Sequence, residues 1–164
     1  MLLLSMIMAA LYASPSSTQS LINKAERDEI ALVSKNDPGM ATAMQKARDT
    51  LPQFLKAAAA PPAGAEGFAV KVAIREGANA EYFWISPFEP KGDAFTGRLN
   101  NAPRMVRGVK NGDPLNFSKA EIVDWMYMDK GAMKGNYTAC VMLRKGTQKD
   151  RDAFRKRFGL DCDA

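Results

Sequence analysis

The 164-residue chain contains no histidine. That removes the usual general base near neutral pH, the Ser-His and Cys-His nucleophile pairs, and the commonest zinc ligand. Any catalysis would have to rest on carboxylates, Lys, Tyr or Ser. Cysteine is scarce as well, with two residues, Cys140 and Cys162, so no paired-Cys zinc spacing exists. No glycine-rich phosphate loop, no calcium-loop pattern, no internal repeat and no low-complexity tract is present. We therefore expect neither a metal nor a cofactor, and no catalytic residue.

What is present is ordinary globular material. The chain is 46% hydrophobic and 25% charged, with a formal net charge of +5. Its length favours a single domain able to bury a core. The bases are spread along the chain with acids between them, which suits solubility better than a nucleic-acid footprint. Nucleic acid is therefore not an expected partner.

The longest apolar run is Met1 to Tyr12, MLLLSMIMAALY. It falls short of the ~20 residues that a bilayer span needs. Ala13 and the polar run Ser14-Pro15-Ser16-Ser17-Thr18 follow it, as in a secretory signal peptide. The pattern departs in one respect: no base precedes the run, and the first is Lys24. The alternative is an N-terminal helix of the mature fold. On the signal reading, residues 1–17 are a signal-peptide-like segment, 18–36 a tether or short helix, and 37–164 a single α+β domain. The location is then periplasmic or secreted, with no stable membrane anchor after signal removal. An oxidising compartment suits a Cys140–Cys162 disulfide; the alternative is two thiols.

Asp37-Pro38 gives a helix start, with Asp as N-cap and Pro in the first turn. Met40, Met44 and Ala47 then repeat at helical spacing. Thr50-Leu51-Pro52 repeats the start signal, so one kinked helix or a helix pair is expected over 37–59. Phe68 to Arg75 alternates as a half-buried strand, with Phe68, Val70, Val72 and Ile74 on one face. Glu81 to Ser86 reads as a second strand, limited by Pro87 and Pro90 and favouring an edge or a bulge. Phe95 to Leu99 and Leu115 to Phe117 are short strands, with a turn at Asn111-Gly112 between them. Thr147 to Asp150 opens a last helix, which Gly159 closes and which should lay Phe154 and Phe158 on the core.

Ala120 to Leu143 is the densest stretch. It reads as a strand, a tight turn at Asp129-Lys130-Gly131 and a second element folding back. Val123, Trp125 and Tyr127 share one face by alternation, and Ile122, Asp124, Met126 and Met128 the other, so the strand should be covered on both sides. Tyr137 to Leu143 fits strand or helix equally. The fold class predicted is α+β: a curved, mainly antiparallel sheet of about five strands, with an N-terminal helix pair and a C-terminal helix. A small barrel-like closure is an alternative.

The runs FWISPF (Phe83 to Phe88), F-x-G (Phe95 to Gly97), NNAP (Asn100 to Pro103), VKNGD (Val109 to Asp113), DWMY (Asp124 to Tyr127) and GNYTA (Gly135 to Ala139), in that order, resemble the YegJ-like bacterial family, a domain of unknown function. RFGLDC (Arg157 to Cys162) adds to the likeness. The resemblance implies a small stand-alone bacterial domain and assigns no activity. Some related short domains look like immunity proteins of toxin systems, which is analogy alone.

Among candidate site residues, Trp84 and the acid-free series Arg98, Arg104, Arg107 and Lys110 form a binding hypothesis: a stacking ring beside bases that could hold an anion or an acidic partner. A solvated basic face is the alternative. Asp124, Trp125 and Tyr127 read as structural core. Tyr137 and Thr138 offer hydroxyls, with Asn136 as a helix N-cap or turn residue. Function is expected to be non-enzymatic protein binding, inhibitor or immunity-like. Binding of a small ligand or cell-wall fragment is the alternative, and a hydrolase using Asp124 or Glu81 comes last.

Overall fold

The computed structural model describes residues 37–77 and 79–163. The expected signal segment and the tether lie outside the described residues. Among those described, one long helix precedes a six-stranded sheet and two helices follow it.

Helix α1 spans Pro38–Ala59. The Asp37 side chain accepts the Met40 amide at 3.1 Å and also pairs with Lys145. Pro52 sits inside the helix without ending it. Its missing N–H orphans only the carbonyl of Arg48, and both residues are exposed to water, which can satisfy that group. The buried stripe is Ala43, Ala47, Leu51 and Phe54. The two alanines let the helix lie close to the sheet.

The strands are β1 (Ala65–Glu76), β2 (Asn79–Lys91), β3 (Ala94–Leu99), β4 (Pro114–Ser118), β5 (Ile122–Asp129) and β6 (Ala132–Gly135). They lie in the order β4-β3-β2-β1-β5-β6, and every neighbouring pair is antiparallel. The sheet is open, with β4 and β6 at its ends, so the barrel alternative is set aside. The expected count of about five becomes six because the segment after Asp129 folds back as β6. Its turn carries Lys130 and Gly131 at positive φ, the geometry a two-residue hairpin needs.

β2 is longer than expected, and of the two settings expected for its prolines, an edge or a bulge, the structure has the bulge. It runs on through Pro87 and Pro90 and lies between β3 and β1, away from any edge. The register with β3 shifts between Ile85 and Phe88. A bulge there removes ladder positions at Ser86-Pro87, where a residue without an N–H can be housed.

A second bulge changes β5. Lys71 pairs with Asp124 and Val72 with Ile122, so Val123 is the extra residue. Ile122, Trp125 and Tyr127 therefore all belong to the main core, and the alternation expected from Ile122 onward is reset. Phe54 of α1 stacks on Trp125 at 4.9 Å between centroids, and the Trp125 indole N–H donates to the Ala47 carbonyl at 3.0 Å. Val70, Val72, Phe83, Ile85, Leu99 and Phe117 complete this core from the sheet.

The helix pair lies after the sheet, as α2 (Tyr137–Arg144) and α3 (Gln148–Phe158), where a single helix was expected; before the sheet there is one helix in place of two. Thr147 and Asp150 form a reciprocal cap for α3, and Gly159 ends it at φ 68°. Phe154 and Phe158 pack in a satellite cluster with Leu143, Leu160 and the cystine, separate from the main core. The Cys140–Cys162 disulfide ties α2 to the C-terminal tail. Leu160 bridges to Met133 and so covers part of the β6 edge.

Candidate functional site

The hairpin of β1 and β2 sets the site. Glu76 pairs with Asn79, so Lys71 falls opposite Trp84, Ala73 opposite Tyr82 and Arg75 opposite Ala80. Val70, Val72, Phe83 and Ile85 face the main core. Strand alternation therefore turns Lys71, Ala73, Arg75, Tyr82 and Trp84 to the other, outer face. On β3, a Cβ at Gly97 would strike the Ile85 side chain at 2.4 Å. Gly97 is thus on the core side, and its neighbours Thr96 and Arg98 are on the outer face. Past the β2 bulge, Lys91 donates to Asn116 of β4 across that same face.

Lys71 is held in place. Its Nζ lies 4.5 Å from the centroid of the Trp84 ring and donates to Thr138 Oγ1 at 2.7 Å. The Thr138 hydroxyl in turn donates to Asp124 Oδ2 at 2.6 Å. Asp124 is 0% exposed and Thr138 is 5% exposed. The carboxylate also accepts the amides of Trp125 at 2.9 Å, Tyr137 at 3.3 Å and Thr138 at 2.8 Å. It caps the N-terminus of α2 from a neighbouring strand. Asn136, the expected cap, sits at φ 53° and makes no capping bond. Burial pushes the Asp124 carboxyl above its ordinary range, while Lys71 and the bonds from Thr138 pull it back. The chain Asp124–Thr138–Lys71 fixes an ammonium over an indole face, an arrangement worth ~0.5–2 kcal/mol depending on desolvation.

The opposite face of β2 carries the loop 100–113. Glu81, 6% exposed, accepts the amides of Arg104, Met105 and Val106 at 2.9–3.1 Å. Glu76 accepts the Arg107 amide at 2.8 Å. Asn101 accepts the Trp84 amide at 2.9 Å. This pins the loop, and Val106 enters the main core.

The five basic and aromatic candidates thus divide. Trp84 and Arg98 share the outer face, where Arg98 also donates to the Gly112 carbonyl at 3.2 Å. Arg104 and Arg107 ride on the loop that Glu81 and Glu76 dock to the other face. Lys110 lies in the turn whose amide bonds Asp113. Trp125 is 7% exposed, and Tyr127 stacks on Phe68 at 4.8 Å. Among the described residues no group of three or more Cys, Asp or Glu is arranged to hold a metal. No described helix is long and apolar enough to cross a membrane. Lys71, Arg75 and Tyr82 were missing from the candidates. Their signal was available in the strict alternation of Phe68 to Arg75 combined with a two-residue hairpin at Gly77, which together set Lys71 against Trp84.

A family of bacterial proteins described as uncharacterized and conserved, DUF2314, matches residues 37–162. The chain belongs to this family. The match takes in α1, all six strands, α2, α3 and both cysteines of the DUF2314 domain. A putative ankyrin repeat protein of Neisseria meningitidis serogroup B is 28% identical over 86 residues, 52% of this chain and 34% of that protein. The alignment thus spans about a third of that relative's length. No solved structure matches.

Proposed function

We propose that this DUF2314 domain is an exported, non-enzymatic protein-binding module, inhibitor or immunity-like in kind. The observation that carries the reading is the outer face of β1 to β3, where Tyr82 and Trp84 stand half-buried beside bases and belong to neither apolar cluster. Tyr, Trp and Arg are the residues that dominate binding energy at protein interfaces. The relative named as a putative ankyrin repeat protein adds support. Ankyrin repeats are stacked helical units, whereas this domain is a sheet without repeats. The carboxylates of Asp124 and Glu81 both hold this chain's own amides, which favours binding over turnover. The ordered motifs, from Phe83–Phe88 to Gly135–Ala139, also support reading it as YegJ-like. Export is supported by the N-terminal apolar run and the cystine.

A photo-crosslinking residue at Thr96, on the outer face, should trap one defined protein in the native bacterium. The same residue at Gln53, on exposed α1, should not. Equal trapping at both positions, or none at Thr96, would remove the reading. A second reading, a small anionic ligand or cell-wall fragment at Lys71 and Trp84, rests on the ring-and-ammonium geometry. A wall fragment that raised the melting point of the wild type, and not of Trp84→Ala, would establish it instead.

A further inference from the structure

The acids of the β1–β2 hairpin are distributed unevenly between the two faces. Glu76 and Glu81 are both on the core side, occupied by the amides of the 100–113 loop. Asp124 faces outward but is fully buried, with its oxygens on Trp125, Tyr137 and Thr138. The outer face around Trp84 therefore presents Lys71, Arg75 and Arg98. The outward acids by register are Glu66 and Glu89, both past the β2 bulge; Glu89 pairs with Thr96 and so stands diagonal to Arg98 at the border of the patch. In the adjoining turn, Asp113 takes the Lys110 amide. One face thus carries three bases and two aromatic rings, with the buried Asp124 beneath Lys71 and the outward acids Glu66 and Glu89 at its border, so that its exposed charge rests on Arg75 and Arg98.

We propose that this outer face binds a carboxylate-rich segment of a partner protein, with acids seated on Arg75 and Arg98 and an apolar or aromatic side chain laid on Trp84. The inference rests on the protein-binding reading above and adds the partner's chemistry to it. Arg75 and Arg98 are exposed and lie on either side of Tyr82 and Trp84. Arg presents a planar fork that matches a carboxylate in two parallel bonds. Lys71, already drawn onto the Trp84 ring and Thr138, lies between them with its charge partly offset by the buried Asp124. A nucleic acid would also respond to the charge. Yet a sheet that tracks a phosphate backbone needs a continuous basic groove, and this patch ends in acids.

The test uses the full chain and two polyanions, poly-L-glutamate and oligothymidylate, read by Trp84 fluorescence with Trp84→Phe to assign the signal. Poly-L-glutamate should bind with an affinity that falls as salt rises. The double reversal R75E/R98E should weaken it at least tenfold, and the control R48E/K56E on exposed α1 should stay within twofold. R75Q/R98Q serves the same purpose if the reversal fails to fold. Equal loss in both doubles, or tighter binding of oligothymidylate, overturns the proposal. The two readings fail separately. Trapping at Thr96 that R75E/R98E leaves unchanged keeps the protein-binding function and sinks the acidic partner. Glutamate binding without any trapped protein sinks the protein-binding function, and the partner protein with it, and leaves only an acid-binding face.

Discussion

Asp124 is a carboxylate with its acceptor capacity filled and no access to water. Removing it strands two helix amides, the Thr138 hydroxyl and the charge of Lys71. Asp124→Ala should cost about 3 kcal/mol in urea unfolding, the range for breaking a buried charged network. A loss under 1 kcal/mol would show that water replaces it. The pH dependence has a definite sign. The carboxyl is raised in the folded state, so the native chain holds more protons than the unfolded chain in the window above the unfolded value of about 3.9. Stability contributed by this group therefore falls as pH rises through that window. The stability gap between wild type and Asp124→Asn should shrink from pH 4 upward and then level off. Asp37 behaves oppositely. Its bond to Lys145 and the Met40 amide lower its pKa, so its contribution is lost on acidification. The sequence showed Asp124 as an acid among apolar neighbours. Its partners were not legible, because Thr138 lies on the far side of a hairpin and Lys71 lies on β1, and nothing local links them.

At the level of elements, glycine shows how tightly β6 and α2 are joined to the sheet. Gly135 has φ 78°, and a Cβ there would meet the Trp125 carbonyl oxygen at 2.1 Å. Gly135→Ala should destabilise by about 3 kcal/mol, through both backbone strain and the clash. Gly131→Ala has open space and should lose only about 1 kcal/mol, for its φ alone. Melting curves of the two variants check the order. Elements with strong local signals were legible: the Asp37-Pro38 start, the alternation of β1, the Thr147–Asp150 cap and the Gly159 stop. Those decided by tertiary context were not. Pro52 reads as a helix start in any short window, and it stays in the interior of α1 because its orphaned carbonyl faces water. The Val123 bulge inverts the face of Ile122, and no composition rule marks it. Lys71 escaped notice at the candidate site because a lone strand lysine looks solvated until the facing strand supplies Trp84.

The whole molecule has two apolar centres, a main core under α1 and a satellite around the cystine. Closing 22 residues of sequence with a disulfide is worth about 3 kcal/mol in the chain-entropy model. Cys162→Ser should therefore lower amide protection in α2 and α3 and leave β1 to β3 near wild type by hydrogen exchange. A uniform fall across the sheet would mean that the two centres unfold as one. The strand order also bears on how the chain comes off the ribosome. β1 to β4 form a meander in which each strand meets its partner as soon as it emerges. β5 breaks that sequence, since it returns across the sheet to pair with β1, some 45 residues after β1 has ended. At roughly 10 residues per second, β1 keeps a bare edge for about four to five seconds of synthesis. Through that interval α1 has no Trp125 to rest against. The nascent chain is thus most exposed to chaperones, and to neighbouring nascent chains, just before DWMY is made.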